Sequence, residues 1–387
     1  MSFDRFSIDC DRFPMETQKI GIGIIGAGYM GKAHSVAYAS VGAVFNTHLR
    51  PVLEMICTST EDGAKRRAQE FGFNRSTGDW RQLVNDPKVE AVIIASPQDT
   101  HKDIALAAFE KGKPVFCEKP LGLSLEEARI LTRKAEESGV VNMTGFNYIR
   151  TPASQLAREM IKAGEIGDIT YFRGEHTEDF LADPNLPATW RTEGRAQGNM
   201  GDLSPHILNA AFALAGPIKS LIADIETVHT TRPSPTGPRA VTNDDQAHML
   251  CRFESGAMGS LYISRIATGR KMGYAYDIYG TKGAIRFDGE DQNAVWLYRM
   301  DQRSDRQGFT KILTGPEHPD YKAFCLGPGH GTGYQDQIII EARDFLKALD
   351  AKQSLWPTFR DGLNVSEAVE AAFLSHIERR WVSLSEI

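Results

Sequence analysis

Three short stretches of this sequence carry residue types that can do chemistry. The first is Gly26-Ala27-Gly28-Tyr29-Met30-Gly31, a G-x-G-x-x-G that follows a strand-like run and opens a helix-like one. The first glycine permits a tight turn, the second lets a pyrophosphate approach the backbone, and the third allows close helix–strand packing. The helix N-terminus then offers free N–H groups to the phosphates. In that setting the loop reads as a dinucleotide cradle, with Tyr29 and Met30 part of it. The second stretch is Glu118-Lys119-Pro120, directly after an apolar run, at the carboxyl edge of the expected sheet where open α/β sheets bind their ligands. Proline biases the preceding Lys119 towards an extended backbone and so aims its ammonium at the crevice. The third is Asp202-Leu203-Ser204-Pro205-His206, whose i, i+4 spacing puts Asp202 and His206 on one face of a helix that starts near Asp202. Plain alternatives stand beside each: a solvated Glu-Lys pair, an N-capping aspartate, a satisfied core histidine.

The elements that must position these residues alternate like βαβ units around a parallel sheet. Strands are expected at Lys19 to Ile25, Pro51 to Cys57, Val89 to Ala95, Lys113 to Cys117 and Val140 to Gly145. Between them the pattern predicts helices over Gly28 to Ser40, Glu61 to Phe71, Thr100 to Lys111 and Leu125 to Ser138, the last opened by a capping box, Ser124-Leu125-Glu126-Glu127, and stopped by Gly139. A longer than usual loop is expected before the second strand. Beyond about Asn147 the pattern turns β-rich. Ile169 to His176, Leu221 to Thr230, Asp245 to Phe253, Met258 to Ile266, Tyr274 to Tyr279 and Ala284 to Phe287 read as strands of a mostly antiparallel sheet. Thr231 to Thr242 and Asp301 to Gly333 read as loops, and Gln337 to Leu349 and Val365 to Trp381 as closing helices. The fold class is thus an α/β Rossmann domain over residues 18–147, followed by an α+β domain with a large open sheet over 148–387. Leu203, Ile207, Leu208, Ala211 and Leu214 make the core-facing stripe of the helix after Asp202.

Composition narrows the function classes. The chain has 387 residues, 41% hydrophobic and 24% charged, ordinary for a folded protein of about two domains. Lys and Arg number 44 against 50 Asp and Glu, a net charge of −6, which gives no electrostatic reason to bind nucleic acid. The five cysteines, Cys10, Cys57, Cys117, Cys251 and Cys325, are odd in number and widely spaced, so they form neither a disulfide framework nor a zinc ribbon. Met1 to Thr17 is charged, without the apolar core of a signal peptide. The richest apolar window, Ile207 to Ala223, is broken by Asn209, Gly216-Pro217 and Lys219, so no membrane partner is expected and the protein is placed in the cytoplasm. No metal site is expected.

The cofactor's adenosine end is chemically open. An acid usually stands at the end of the second strand to bind the ribose hydroxyls. Here Cys57 is followed by Thr58-Ser59-Thr60, which can bond a bare ribose or a 2′-phosphate. Arg66 and Arg67 lie more than a helical turn further on. Ser96 and Pro97 with His101, after the Val89 to Ala95 strand, are further cofactor contacts.

The glycine loop, Glu118-Lys119-Pro120 and Asp202-x-x-x-His206, in this order and with a β-rich second half, resemble the Gfo/Idh/MocA (glucose-fructose oxidoreductase, inositol dehydrogenase, rhizopine catabolism) family. The resemblance implies catalytic roles for Lys119, Asp202 and His206, and a homo-oligomer, dimer or tetramer, built through the C-terminal sheet. Gly31-Lys32-Ala33-His34-Ser35, Gly145-Phe146-Asn147-Tyr148, Trp190-Arg191 and Gly329-His330-Gly331-Thr332-Gly333-Tyr334 resemble its levoglucosan dehydrogenase branch, which implies NAD rather than NADP and oxidation at a ring carbon, C3, of a pyranose or anhydrosugar. On this reading Lys119 holds a developing alkoxide, His206 takes the hydroxyl proton, and Asp202 orients His206 or anchors a neighbouring hydroxyl.

Glu118 is expected beside the cofactor. Asn147, Tyr148, Arg150, His176, Asp179, Trp190 and Arg191 are suited to sugar hydroxyls and ring faces, His176 the strongest of them. Three competing functions remain: a glycoside hydrolase working by transient oxidation would keep the same trio, a non-catalytic dinucleotide sensor would not need Lys119, and a zinc hydrolase would leave the glycine loop unused.

Overall fold

The computed structural model describes residues 17–387; Cys10 and the stretch Met1 to Glu16 lie outside the described residues. The first half alternates β1 (Gln18–Ile25), α1 (Tyr29–Phe45), β2 (Leu49–Cys57), α2 (Glu61–Phe71), β3 (Arg75–Thr77), α3 (Trp80–Asn85), β4 (Ala91–Ile94), α4 (His101–Glu110), β5 (Val115–Glu118), α5 (Leu125–Ser138) and β6 (Asn142–Gly145). The six strands are parallel in the order β3-β2-β1-β4-β5-β6. The order reverses between β1 and β4, and the crevice at their carboxyl ends is the switch point where such sheets bind ligands. Ala91 to Ile94 is buried throughout, as a strand covered on both faces requires.

Local chemistry sets the helix ends. Thr60 accepts the amide of Gly63 at the start of α2, which stops on left-handed Gly72. Ser124 accepts the amide of Glu127, yet Glu127 returns its carboxylate to the amide of Leu123, so only half of the expected capping box forms. Helix α1 continues five residues past Ser40, because Val41 and Gly42 are buried; the expected long loop shrinks to the residues between Phe45 and Leu49. The short β3 and α3 escaped the sequence pattern, since three residues carry too little periodicity to register.

The second half comprises α6 (Pro152–Lys162), β7 (Ile169–Thr177), α7 (Asn199–Asp202), α8 (Ser204–Ala215), β8 (Ile218–Glu226), β9 (Thr231–Arg232), β10 (Arg239–Ala240), β11 (Gln246–Phe253), β12 (Met258–Ser264), β13 (Gly273–Gly280), β14 (Gly283–Asp288), β15 (Ala294–Arg299), β16 (Thr310–Leu313), α9 (Tyr321–Phe324), α10 (Tyr334–Ala351), α11 (Phe359–Glu378) and β17 (Val382–Ser383). Nine strands form one sheet, β16-β15-β14-β13-β7-β12-β11-β8-β17, antiparallel except where β7 meets β12. In β11 the odd positions Ala247, Met249, Cys251 and Phe253 are buried and the even ones are not, so the sheet keeps one face on its core. Ile207, Leu208 and Ala211 of α8 and Ala368, Ala371 and Ala372 of α11 cover that face. The two expected loops contain short pairing: β9 with β10, and the edge strand β16 with β15. Helix α10 returns to the first sheet. Its Ile338, Ala342, Phe345 and Leu346 pack in one core with Ile22, Val41 and Phe116.

Candidate active site

The glycine loop behaves as its residue types demand. Gly26 sits at φ 100°, and a Cβ there would stand 2.3 Å from the Ala95 carbonyl. A Cβ on Gly31 would stand 2.1 Å from the carbonyl of Gly26, so the third glycine permits close helix–strand packing. At Gly28 nothing lies within 4 Å: the backbone there faces the open space a pyrophosphate needs. Around it lies a cleft of about 600 Å³, lined at the β1, β2 and β4 ends by Gly28, Thr58, Ser59, Ser96 and Pro97. These residues fit a dinucleotide.

Beside the cleft, β5 delivers Lys119 into the second half of the chain. Its ammonium donates to the Asp202 backbone carbonyl (2.8 Å) and to Asp202 Oδ1 (2.7 Å). Asp202 Oδ2 accepts from Arg191 Nη1 at 2.8 Å. Burial opposes ionisation of this carboxyl, but the charges and hydrogen bonds of Lys119 and Arg191 outweigh it and hold the pKa at about 2. Asp202 is the last residue of α7 rather than the first of a helix. Pro205 has no N–H to continue the ladder, and the His206 amide bonds the Leu203 carbonyl, which leaves the Asp202 carbonyl for Lys119.

His206 is 6% exposed, and its Nδ1 is buried without a hydrogen-bond partner among the described residues. Tyr148 lies over the imidazole at 4.4 Å, and Phe146 and His176 are its other aromatic neighbours. Burial first, then the charges of Lys119 and His176, hold its pKa well below 6.5. The imidazole is therefore neutral near pH 7, beside a fixed ammonium. Asp202 does not orient it, since both carboxylate oxygens serve Lys119 and Arg191.

Several residues expected to touch ligands are instead braces. Both ring nitrogens of His176 are committed, Nδ1 to the Leu203 carbonyl (2.9 Å) and Nε2 to Glu178 (3.2 Å), so it steadies the turn between Asp202 and His206. His101 is buried with its ring nitrogens 3.0 Å from the carbonyls of Ser96 and Pro120, tying two cleft loops together from outside the lining. Glu118 points to His34 Nε2 at 2.7 Å. Asn147 bonds Gln337, and Arg150 is buried against Asp344 and the Trp356 carbonyl; both anchor α10 and its following loop. Asp179 pairs with Lys271. Trp190 is 62% exposed and carries the Arg191 guanidinium on its ring at 4.5 Å. Tyr334 was not singled out as a contact by its residue type, yet it reaches the glycine loop: its ring is 5.6 Å from Tyr29 and its hydroxyl donates to Met30 Sδ. No spacing rule links positions so far apart.

Comparison with known proteins agrees with this geometry. The model of the oxidoreductase family with an NAD-binding Rossmann fold matches residues 20–146, and the GFO/IDH/MocA C-terminal domain matches residues 154–286. Levoglucosan dehydrogenase of Pseudarthrobacter phenanthrenivorans is 36% identical over 96% of this chain and 99% of its own length. Myo-inositol 2-dehydrogenase of Thermotoga maritima is 27% identical over 95% of this chain and 99% of its own. A solved levoglucosan dehydrogenase in complex with NADH and levoglucosan superposes with a TM-score of 0.92 at 37% identity, covering 95% of this chain and 100% of that one. With its glycine loop, its Lys119–Asp202 contact and its nine-stranded second sheet, the chain belongs to the Gfo/Idh/MocA oxidoreductase family.

Proposed function

We propose that this chain is an NAD-dependent dehydrogenase that oxidises a secondary hydroxyl, C3 of a pyranose or anhydrosugar or the equivalent carbon of a cyclic polyol. The observation that carries the reading is a charged Lys119, held 2.7 Å from Asp202, next to a buried neutral His206 at the edge of the dinucleotide cleft. An alcohol is about as weak an acid as water, so its proton does not leave unaided near pH 7. Lys119 donates a charge-assisted hydrogen bond to the oxygen as negative charge develops. His206 accepts the proton on Nε2, since Nδ1 is enclosed. Asp202 keeps the ammonium in place, and Arg191 and Tyr148 flank the space left for the sugar. The bound nicotinamide supplies the hydride acceptor.

The test is a screen of levoglucosan, free hexoses, glycosides and inositols with NAD, following reduced nicotinamide. Net NADH with one of these classes supports the reading; sugar cleavage without net NADH replaces it with hydrolysis through transient oxidation.

The setting follows from the same features. Cys57, Cys117, Cys251 and Cys325 are free thiols, and no helix among the described residues is long and apolar enough to cross a membrane, in keeping with the cytoplasm we assign. We assign homo-oligomer contacts to the outer face of the nine-stranded sheet. There the register sets exposed Leu250, Met258 and Tyr279 on one side, and sedimentation reads the assembly directly.

A further inference from the structure

We infer that Asp244 is a positioning residue for the oxidation proposed above: from the loop between β10 and β11 it caps α7 and so fixes Asp202 where it holds Lys119. The inference rests on the dehydrogenase reading of the site and adds to it a residue enclosed behind the reacting groups.

Helix α7 is a single turn without a cap of its own. Gly198 stands at its N-cap with an ordinary extended backbone, φ −73° and ψ 173°, but has no side chain to accept an amide. Asp244 supplies the acceptors from another part of the chain. Its carbonyl takes the Asn199 amide at 3.0 Å, and its Oδ2 takes the Met200 amide at 2.7 Å, the bond an N-cap oxygen ordinarily makes. The carboxyl fills the place of the missing side chain, since a Cβ on Gly198 would stand 2.2 Å from Asp244 Oδ1. With α7 held at its start, Asp202 at its end meets Lys119 through both its carbonyl and its Oδ1.

The neighbours of Asp244 hold the other partner of Asp202. Asn243, Asp244 and Asp245 are all buried. Asn243 Nδ2 donates to the carbonyls of Arg191 (3.0 Å) and Gly194 (3.2 Å). Asp245 pairs with Arg265, which donates to the carbonyls of Arg191 (2.8 Å) and Gln197 (3.2 Å). Arg191 Nη1 then reaches Asp202 Oδ2 at 2.8 Å. One buried tripeptide therefore grips both members of the Arg191–Asp202 pair, the backbone of the cation and the helix of the anion. Enclosing Asp244 is costly: its Oδ1 has no hydrogen-bond partner among the described residues, and burial pushes the carboxyl up to about 6. An apolar side chain would fill the space at less cost, but it would leave the Met200 amide without an acceptor.

Steady-state kinetics with NAD and levoglucosan, together with acetic anhydride labelling of Lys119 read by mass spectrometry, test this. Asp244→Ala is expected to lower kcat about tenfold to a hundredfold, the scale of a small displacement of reacting groups, with the KM for levoglucosan and the dissociation constant of NADH within about threefold. Labelling of Lys119 should rise several-fold as its bonds to Asp202 loosen. Asp244→Asn keeps an oxygen for the Met200 amide and should recover most of the lost kcat. Gly198→Ser in the Asp244→Ala background moves the cap oxygen onto the N-cap itself and should recover it too, whereas Gly198→Ser alone displaces the carboxyl and lowers kcat. In an Asp202→Asn background Asp244→Ala should cost less than about threefold, because the path through Asp202 is already cut. Equal losses in both backgrounds, no recovery in either rescuing variant, or Lys119 labelling unmoved by Asp244→Ala overturns the inference. Should Asp244→Ala not fold, Gly198→Ser displaces the same carboxyl and serves in its place. Wild-type protein that yields no NADH from any sugar of the screen overturns the dehydrogenase reading instead, and Lys119 labelling still decides the role of Asp244.

Discussion

Replacing Lys119 with methionine removes one charge while keeping most of the side chain's length, and it tests the proposed chemistry most directly. At about 3 Å, with an effective dielectric near 20, an ammonium stabilises a full alkoxide charge by roughly 332/(20 × 3), about 5.5 kcal/mol. Part of that is already spent, because the ammonium sits 2.7 Å from Asp202 Oδ1 and shares its field between carboxylate and substrate. Loss of a single preorganised donor of this kind commonly costs about 10²–10³ in kcat. Methionine also leaves Asp202 with Arg191 as its remaining partner, so the carboxylate now faces the developing alkoxide and adds repulsion. Turnover should therefore fall about 10³-fold. Lys119 does not line the adenosine end, so the dissociation constant of NADH, read by fluorescence, should stay within about threefold. With hydride transfer slowed, the primary isotope effect of a substrate deuterated at the reacting carbon should rise to its full intrinsic value. A turnover loss below about tenfold, or an unchanged isotope effect, would refute the placement of Lys119 at the reacting oxygen.

Three further outcomes follow from buried ionisable groups. His206 resists protonation in the native state while the unfolded chain titrates near 6.5, so the unfolded state binds more protons and stability declines as pH falls from there towards the lowered native value. The acid limb of log kcat/KM should accordingly lie below pH 6.5, and a limb at or above that value removes His206 as the base. Asp202, held at about 2 against an ordinary 3.8, contributes about 2 kcal/mol above pH 3.8 that disappears as pH falls through 2; Asp202→Asn should flatten this part of a denaturation–pH profile. Glu341 is fully buried, its pKa pushed well up by burial and then by the charge of Glu118, and one of its oxygens has no partner among the described residues. Its native form keeps the proton that the unfolded chain releases above pH 4.5, so it costs stability as pH rises. Glu341→Gln keeps the acceptor for the Phe146 amide and should melt at least as high as wild type at pH 7, with a gap that widens at pH 9; a lower Tm would mean the ionised carboxylate is native.

How much of this was legible in the sequence depended on whether the signal was local. The Glu61–Phe71 helix carries its own cap and stop, and its bounds were readable to the residue. The glycine loop was readable because Gly26 and Gly31 answer local steric demands and Gly28 leaves the backbone open between them. The Lys119–Asp202 contact was not legible: the resemblance gave both residues catalytic roles but set Asp202 to orient His206 or anchor a hydroxyl, and 83 residues separate the pair. Side-chain direction was the least legible feature. His101 has the residue type of a cofactor contact and His176, Asn147 and Arg150 those of a sugar site, yet each is buried and hydrogen-bonded to backbone or side-chain partners. Arg66 stands more than a helical turn beyond the strand end in sequence, yet it lines the dinucleotide cleft.

The braces divide the work between the two sheets. Lys119 comes off β5 of the parallel sheet, whereas Asp202 and His206 flank a helix break on the second sheet's covering layer, so the reacting geometry is set by how the halves dock. Each side of that geometry has its own brace, His101 bridging the loops after β4 and β5 within the first half and His176 gripping the Leu203 carbonyl within the second, while Gln197 Nε2 donates to Gln98 Oε1 at 2.6 Å between them. Arg265, 2% exposed and paired with Asp245, holds the Arg191 carbonyl at 2.8 Å, with Asn243 bonding the same oxygen at 3.0 Å. The backbone of Arg191 is thereby rigid, while its side chain and Trp190 remain partly exposed at the mouth of the site. Arg191 thus belongs to the charge machinery, because it holds Asp202 Oδ2 at 2.8 Å, and Tyr148 belongs to the proton machinery, because it covers His206 at 4.4 Å. On the proposed function, the side chain that can change without disturbing them is Trp190, 62% exposed beside Arg191.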